Sequence, residues 1–137
     1  MAELGFSKTQ GKKGNGSRAA TPAQVTEMVM VEARKRGLNW FKPHMAAGMV
    51  GSFIQETGNF RNDVINFNVR GDNGSAHGLM QWRGKRYTNL LAYAKQSNAN
   101  PADIRTQVSF AIEEGMPNSR FKDFGTVKAF RLFPQTK

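Results

Sequence analysis

The 137-residue chain contains no cysteine. Its absence excludes disulfides, thiolate zinc sites and cysteine nucleophiles, and leaves the redox compartment undetermined. No staple is needed, because a chain of this length buries roughly two-thirds of its unfolded surface in one core. Long apolar runs are also missing. None approaches the ~20 residues that a bilayer-spanning helix requires, so no integral membrane segment is expected. The opening stretch MAELGFSKTQGKKGNGSR has no apolar centre of the kind a signal peptide carries. Histidine is scarce: His44 and His77 lie far apart with no acidic cluster beside either, so neither a metal site nor a cofactor is expected.

Acidic residues are few, 10 against 20 lysines and arginines, which leaves a net charge of +10. A surface this basic is drawn to phosphate-rich polymers, whether nucleic acid, anionic lipid or envelope phosphates. Charge alone does not choose among them, and solvated cations that keep a protein soluble explain it equally well. The basicity is spread along the chain, with one denser cluster at RGKR, Arg83 to Arg86. Sequence-specific DNA readers concentrate charge on one element instead.

Residues 1–20 are polar, glycine-rich and lysine-rich, and read as a flexible basic arm. Residues 21–137 read as a single domain. Thr21, Pro22 and Gln24 form a capping-box signature, and Val25, Met28, Val29 and Ala33 give the helix that follows an apolar face up to Gly37. A second helix is expected from about Trp40 to Thr57, with Ala46, Met49, Val50 and Phe53 on its buried side and Gly58 as its stop. Gly48 and Gly51 inside it cost roughly 1 kcal/mol each against alanine, which suggests a closely packed neighbouring backbone.

The stretch VINFNVR, residues 64–70, alternates apolar and polar as a strand does. Asn73–Gly74 then signals a tight hairpin turn. Tyr87, Leu90, Leu91 and Ala94 form a third helical stripe, and Ile104, Val108, Ala111 and Ile112 a fourth that Gly115 ends. The aromatic tail carries one more short helix. The expected fold is mainly α, with one small β-hairpin.

One carboxylate breaks the pattern. Met49, Phe53, Glu56 and Phe60 follow one another at spacings of four, three and four, which places Glu56 on an apolar stripe. Asp72 sits in the polar turn GDNG. Glycosidic cleavage uses two carboxylates in unlike surroundings. A carboxyl in an apolar setting keeps its proton and serves as general acid, while one in a wet setting stays ionised and orients water or stabilises charge on the sugar ring. Glu56 and Asp72 are the candidates for those roles. The structural alternatives are a helix-end Glu56 paired with Arg61, and an Asp72 present for its turn hydrogen bonds.

ETGNF at residues 56–60 and GSAHGLMQW at 74–82 resemble the motif pair of the lysozyme and lytic-transglycosylase superfamily. Taken together, AAGMVGSFIQETGNF, GDNGSAHGLMQW and RTQVSFAIEE resemble the phage tail lysozyme family over about residues 43–114. The resemblance implies a lysozyme-like helical domain that cleaves peptidoglycan, with Glu56 as catalytic acid, Gln81 lining the substrate groove, and Ser75 and Gly78 shaping its floor. It also implies that the transglycosylase branch needs one catalytic glutamate, which leaves Asp72 without a required role there.

Around this motif, His77 reads either as a sugar contact or as a turn histidine without a role, and Trp82 either as a sugar-stacking surface or as core. Arg83, with Lys85 and Arg86, flanks the expected groove and could hold carboxylates or phosphates. Cations at a helix N-terminus oppose the helix dipole, which argues against their being merely solvated. Glu113 and Glu114 stand at the unfavourable end of their helix, so one of them is expected to be buried against a basic partner.

The leading functional expectation is a muramidase cutting between N-acetylmuramic acid and N-acetylglucosamine. A lytic transglycosylase yielding 1,6-anhydro products is the alternative. A non-catalytic basic nucleic-acid-binding module, or a wall-binding domain that has lost its chemistry, stands further off. Expected partners are bacterial peptidoglycan, anionic envelope polymers and other phage virion proteins. With no signal peptide, the resemblance places the protein in a phage virion or released into the host cell envelope.

Overall fold

The computed structural model describes residues 17–132. Helix α1, Pro22–Lys35, starts as its sequence dictates. Thr21 Oγ1 accepts from the Gln24 amide at 3.1 Å, and Gln24 Oε1 accepts from the Thr21 amide at 2.9 Å. Its apolar stripe of Val25, Met28, Val29 and Ala33 is buried. That stripe lies against α2, Pro43–Thr57, and α6, Ile104–Glu113, while α5, Gly84–Gln96, packs on α6. The short segments α3, Asn62–Ile65, and α4, Gly71–Gly74, connect α2 to α5, and α7, Phe124–Leu132, closes the domain. The core runs from Val25 and Val29 through Met45 and Phe53 to Leu79, Trp82, Leu90 and Phe110. Among the described residues, no helix is long and apolar enough to cross a membrane.

Several sequence expectations give way to the packing. The arm assigned to residues 1–20 is fixed at its end: Ala19 and Ala20 are buried, the Ala19 amide donates to Phe60 O at 2.8 Å, and the Asn62 amide donates to Ser17 O at 2.7 Å. Residues 1–16 of that arm lie outside the described residues. Gly51 meets no neighbouring atom within 4 Å, so no backbone packs against it as expected. Leu91, placed on the buried stripe of α5 by its spacing, is exposed, and Leu90 and Ala94 carry that face.

The strand read over residues 64–70 is absent. Residues 62–65 form α3, Phe67 takes a left-handed φ of 74°, and Val69 is exposed. Local side-chain bonding accounts for this. Asn66 Oδ1 accepts from the Asn68 amide at 3.0 Å, a turn interaction that competes with strand pairing. The Val69 amide turns back to Asp63 O at 2.7 Å.

In place of a hairpin, residues 71–82 form two consecutive tight loops. Gly71 and Ala76 exchange both backbone hydrogen bonds at 3.0 Å, closing the first loop. His77 and Trp82 exchange theirs at 2.9 and 2.8 Å, closing the second. The two-residue hairpin turn expected at Asn73–Gly74 is replaced by a longer reversal that starts one residue earlier: Asp72 and Asn73 both adopt left-handed backbone, at φ 56° and 61°, and Gly74 follows at 92°. Asp and Asn tolerate this region better than most residues.

The second of these loops is pinned by a residue with no obvious signal in the sequence. Gln107 of α6 is fully buried. Its Oε1 accepts from the Leu79 amide at 2.8 Å, and its Nε2 donates to Ile65 O and Pro101 O, each at 2.9 Å. One side chain thus satisfies three loops' backbone groups. A Cβ at Gly78 would come within 2.6 Å of Gln107 Oε1 and 3.1 Å of Phe67, so only glycine lets the loop approach so closely.

Two predictions follow from this packing. Gln107→Ala orphans two buried backbone groups, at Leu79 and Ile65, and a half-buried one at Pro101, and should lower stability by about 3 kcal/mol in urea denaturation. Glu32, on α1, is opposed by burial, yet hydrogen bonds from Arg36 and Lys35 hold its carboxyl below the ordinary value of 4.5. A carboxyl depressed in the folded state stabilises fully above its unfolded value and loses that contribution as pH falls through its folded value. The stability advantage of the native chain over Glu32→Gln should therefore shrink between about pH 5 and pH 3.

Candidate active site

Glu56 stands one residue before the end of α2, and that residue explains its placement. Thr57, four positions after Phe53, takes the inward place on the stripe. It is 1% exposed, with its Oγ1 donating to Phe53 O at 2.7 Å and accepting from the Phe60 amide at 2.8 Å. Gly58, Asn59 and Phe60 then run left-handed at φ 65–66°, which reverses the chain and returns the Phe60 ring to the core. Glu56, three positions after Phe53, is turned to the exposed edge of the helix. The apolar setting expected from Phe53 and Phe60 is therefore not realised, because both rings lie inside. The pairing with Arg61 does not occur either, since Arg61 binds Asp63 at 2.7 Å. Glu56 makes no hydrogen bond or ion pair with any described residue.

Beside it opens a cleft of about 650 Å³, lined by Glu56, Asp72, Ala76, Met80, Gln81, Arg83, Gly84 and Arg86. The two tight loops form its far wall. Asp72 sits on the first, half-exposed, with Oδ2 accepting from Arg83 Nη1. Gln81 ends the second at a left-handed φ of 51°, its Nε2 donating to Gly78 O at 3.0 Å. The two carboxylates singled out in the sequence thus share one cavity with Gln81 and Arg83.

The other sequence candidates do not line it. Ser75 caps the first loop, its Oγ donating to Asp72 O at 2.9 Å. Gly78 is buried and its carbonyl is occupied by Gln81. His77 is buried, stacked on Tyr87 at 3.6 Å between ring centroids. Trp82 is fully buried, edge-on to Phe110. Ser75 and Gly78, expected to shape the groove floor, instead hold the loops, and the His77 and Trp82 side chains are turned inward.

The sequence reading undervalued Arg86. Its Nε donates to Glu114 Oε2 at 2.9 Å and its Nη2 to Glu114 Oε1 at 2.8 Å, a two-point clamp. Trp82 Nε1 donates to the same Oε1 at 2.9 Å, and Asp123 Oδ1 lies 3.6 Å from Arg86 Nε. Hydrogen bonding to Glu114 raises the Arg86 guanidinium above its ordinary value. Burial opposes this, and the charges of Glu114, Asp123 and Glu56 add to it. Glu114 is the buried helix-end acid expected from its position, and Glu113 finds Arg36 at 3.1 Å. The misplaced cations at the start of α5 were the available signal. Their partners could not be read from the sequence.

Arg86 and Met80 also line a second cavity of about 430 Å³, which continues along Gly48, Ser52 and Phe53 of α2 to Thr126 and Phe130 of α7. The two cavities share Met80 and Arg86 as a common wall, and Glu56 lines one of them. Among the described residues, no three His, Asp or Glu side chains gather as a metal site would.

No curated protein and no solved structure matches the chain. The family model of phage tail lysozyme matches residues 27–131, a span that includes α2, both tight loops and every residue lining the Glu56 cleft. The chain belongs to the phage tail lysozyme family, whose lysozyme-like, peptidoglycan-degrading character accords with a helical domain holding two carboxylates in one groove.

Proposed function

We propose that the chain is a muramidase that hydrolyses the bond between N-acetylmuramic acid and N-acetylglucosamine. The observation that carries this reading is the placement of Glu56, without a bonding partner among the described residues, in a cleft it shares with Asp72. Glu56 donates its proton to the glycosidic oxygen as the bond to the sugar's anomeric carbon breaks. Water adds to that carbon, and its proton passes to a carboxylate, which restores the acid. Glu56 is exposed at the edge of the cleft, and a glycan laid over it supplies the dryness that favours a protonated carboxyl by covering the side chain and expelling water. Asp72, held by Arg83, remains an anion facing the developing positive charge.

The same pairing favours a second reading. An aspartate engaged by Arg83 on the loop is less available to act on water, and a transglycosylase needs only the glutamate. There Glu56 protonates the glycosidic oxygen as its bond to the anomeric carbon breaks, the muramic 6-hydroxyl attacks that carbon, and Glu56 takes the hydroxyl proton back, leaving a 1,6-anhydro end one water lighter. In either case the substrate is peptidoglycan, and the excess of cations suits anionic envelope polymers around it. The family resemblance supports a place in a phage virion, beside other virion proteins, or release into the host envelope.

Glu56→Gln should reduce turnover of purified peptidoglycan by about 10³-fold with an unchanged urea midpoint. Retention of most activity would overturn the assignment. Mass analysis of the products separates hydrolase from transglycosylase. Asp72→Asn should cause a large loss in the former and a small one in the latter.

A further inference from the structure

Two arginines line the cleft with Glu56, and each is held by a different carboxylate. Arg83 is engaged by Asp72, on the rim. Arg86 is engaged from below by Glu114, which is 1% exposed and takes no part in the proposed chemistry. Glu114 extends from the end of α6 and is itself held by the indole of Trp82. Asp123, just before α7, contributes a second anion to the same guanidinium. The charged groups around Glu56 are thus Asp72 and Arg83 from the loops and Arg86 from α5, with Glu114 and Asp123 behind Arg86.

Arginine on a flexible stem seeks a carboxylate, and a two-point clamp fixes both its position and its plane. Without Glu114, the Arg86 head is left on the partition between two cavities, with Glu56 lining one of them. A cation paired to a carboxylate favours the ionised form, and an ionised Glu56 has no proton to deliver. We propose that Glu114 is a positioning residue: held itself by Trp82, it clamps Arg86 beside Asp123, keeps that cation from pairing with Glu56 and leaves Glu56 able to carry a proton. The consequence for turnover rests on the acid role proposed for Glu56, whereas the clamp itself does not.

The test reads the Glu56 carboxyl directly, by carbon NMR titration, alongside the pH dependence of kcat/KM on purified peptidoglycan. In Glu114→Gln the Glu56 titration should move to lower pH. The alkaline limb of the rate profile should move with it, lowering kcat/KM at neutral pH about tenfold while activity at the acid end approaches that of the native chain. In Glu114→Gln/Arg86→Gln, which removes the cation as well, the titration should return to its native position or above. If Glu114→Gln does not fold, Glu114→Gln/Arg86→Lys keeps a cation without its two-point holder and should show the same downward movement. An unmoved Glu56 titration in the folded variants, with activity reduced equally at every pH, would overturn the proposal and make Glu114 merely structural. A titration that moves while the rate limb stays fixed would uphold the clamp and remove Glu56 from the role of acid.

Discussion

A buried carboxylate decides how this groove is arranged. Glu114 lies at the end of a helix, where the dipole disfavours it, and it is 1% exposed. Such a charge persists only when its oxygens are fully bonded. The Trp82 indole and two nitrogens of Arg86 provide that bonding. These bonds join the end of α6, the close of the second loop and the start of α5. They also set the wall that both cavities share, since Arg86 lines each of them.

Gln107 plays the neutral counterpart of this role a few residues earlier on α6. It ties the second loop at Leu79 to the backbone at Ile65 and Pro101, so that a loop with little regular structure of its own is anchored to its surroundings. Rigid loops matter here because the cleft's far wall consists of them. Asp72 and Gln81 are both left-handed residues in these loops, and their side chains reach the cleft only while that backbone is maintained. One helix thus supports the wall twice, by an amide network and by an ion pair.

The motif segment ETGNF divides its labour sharply. Glutamate faces the cleft, threonine locks the helix end, glycine and asparagine reverse the chain, and phenylalanine returns to the core. GSAHGLMQW divides in the same way, with Ala76, Met80 and Gln81 at the cleft and His77, Leu79 and Trp82 inside. Residues between the cleft-facing ones serve chiefly to place them.

Local chemistry was legible in the sequence. The capping box at Thr21 and the helical stripes of α1, α2 and α6 appear as their residues dictate, because each depends on neighbours within four positions. The alternation of residues 64–70 misled, because Asn66 and Asp63 offered the backbone closer partners than any strand could. Glu56 and Asp72 stood out as carboxylates in unlike settings, but spacing alone put Glu56 in the dry position that Thr57 occupies. What only the tertiary structure decided were the pairings across long stretches of chain: Trp82 and Arg86 with Glu114, Gln107 with three loops, and Asp72 with Glu56 across one cleft. Such pairings depend on how helices pack against one another, and no local pattern of residue types encodes the partner.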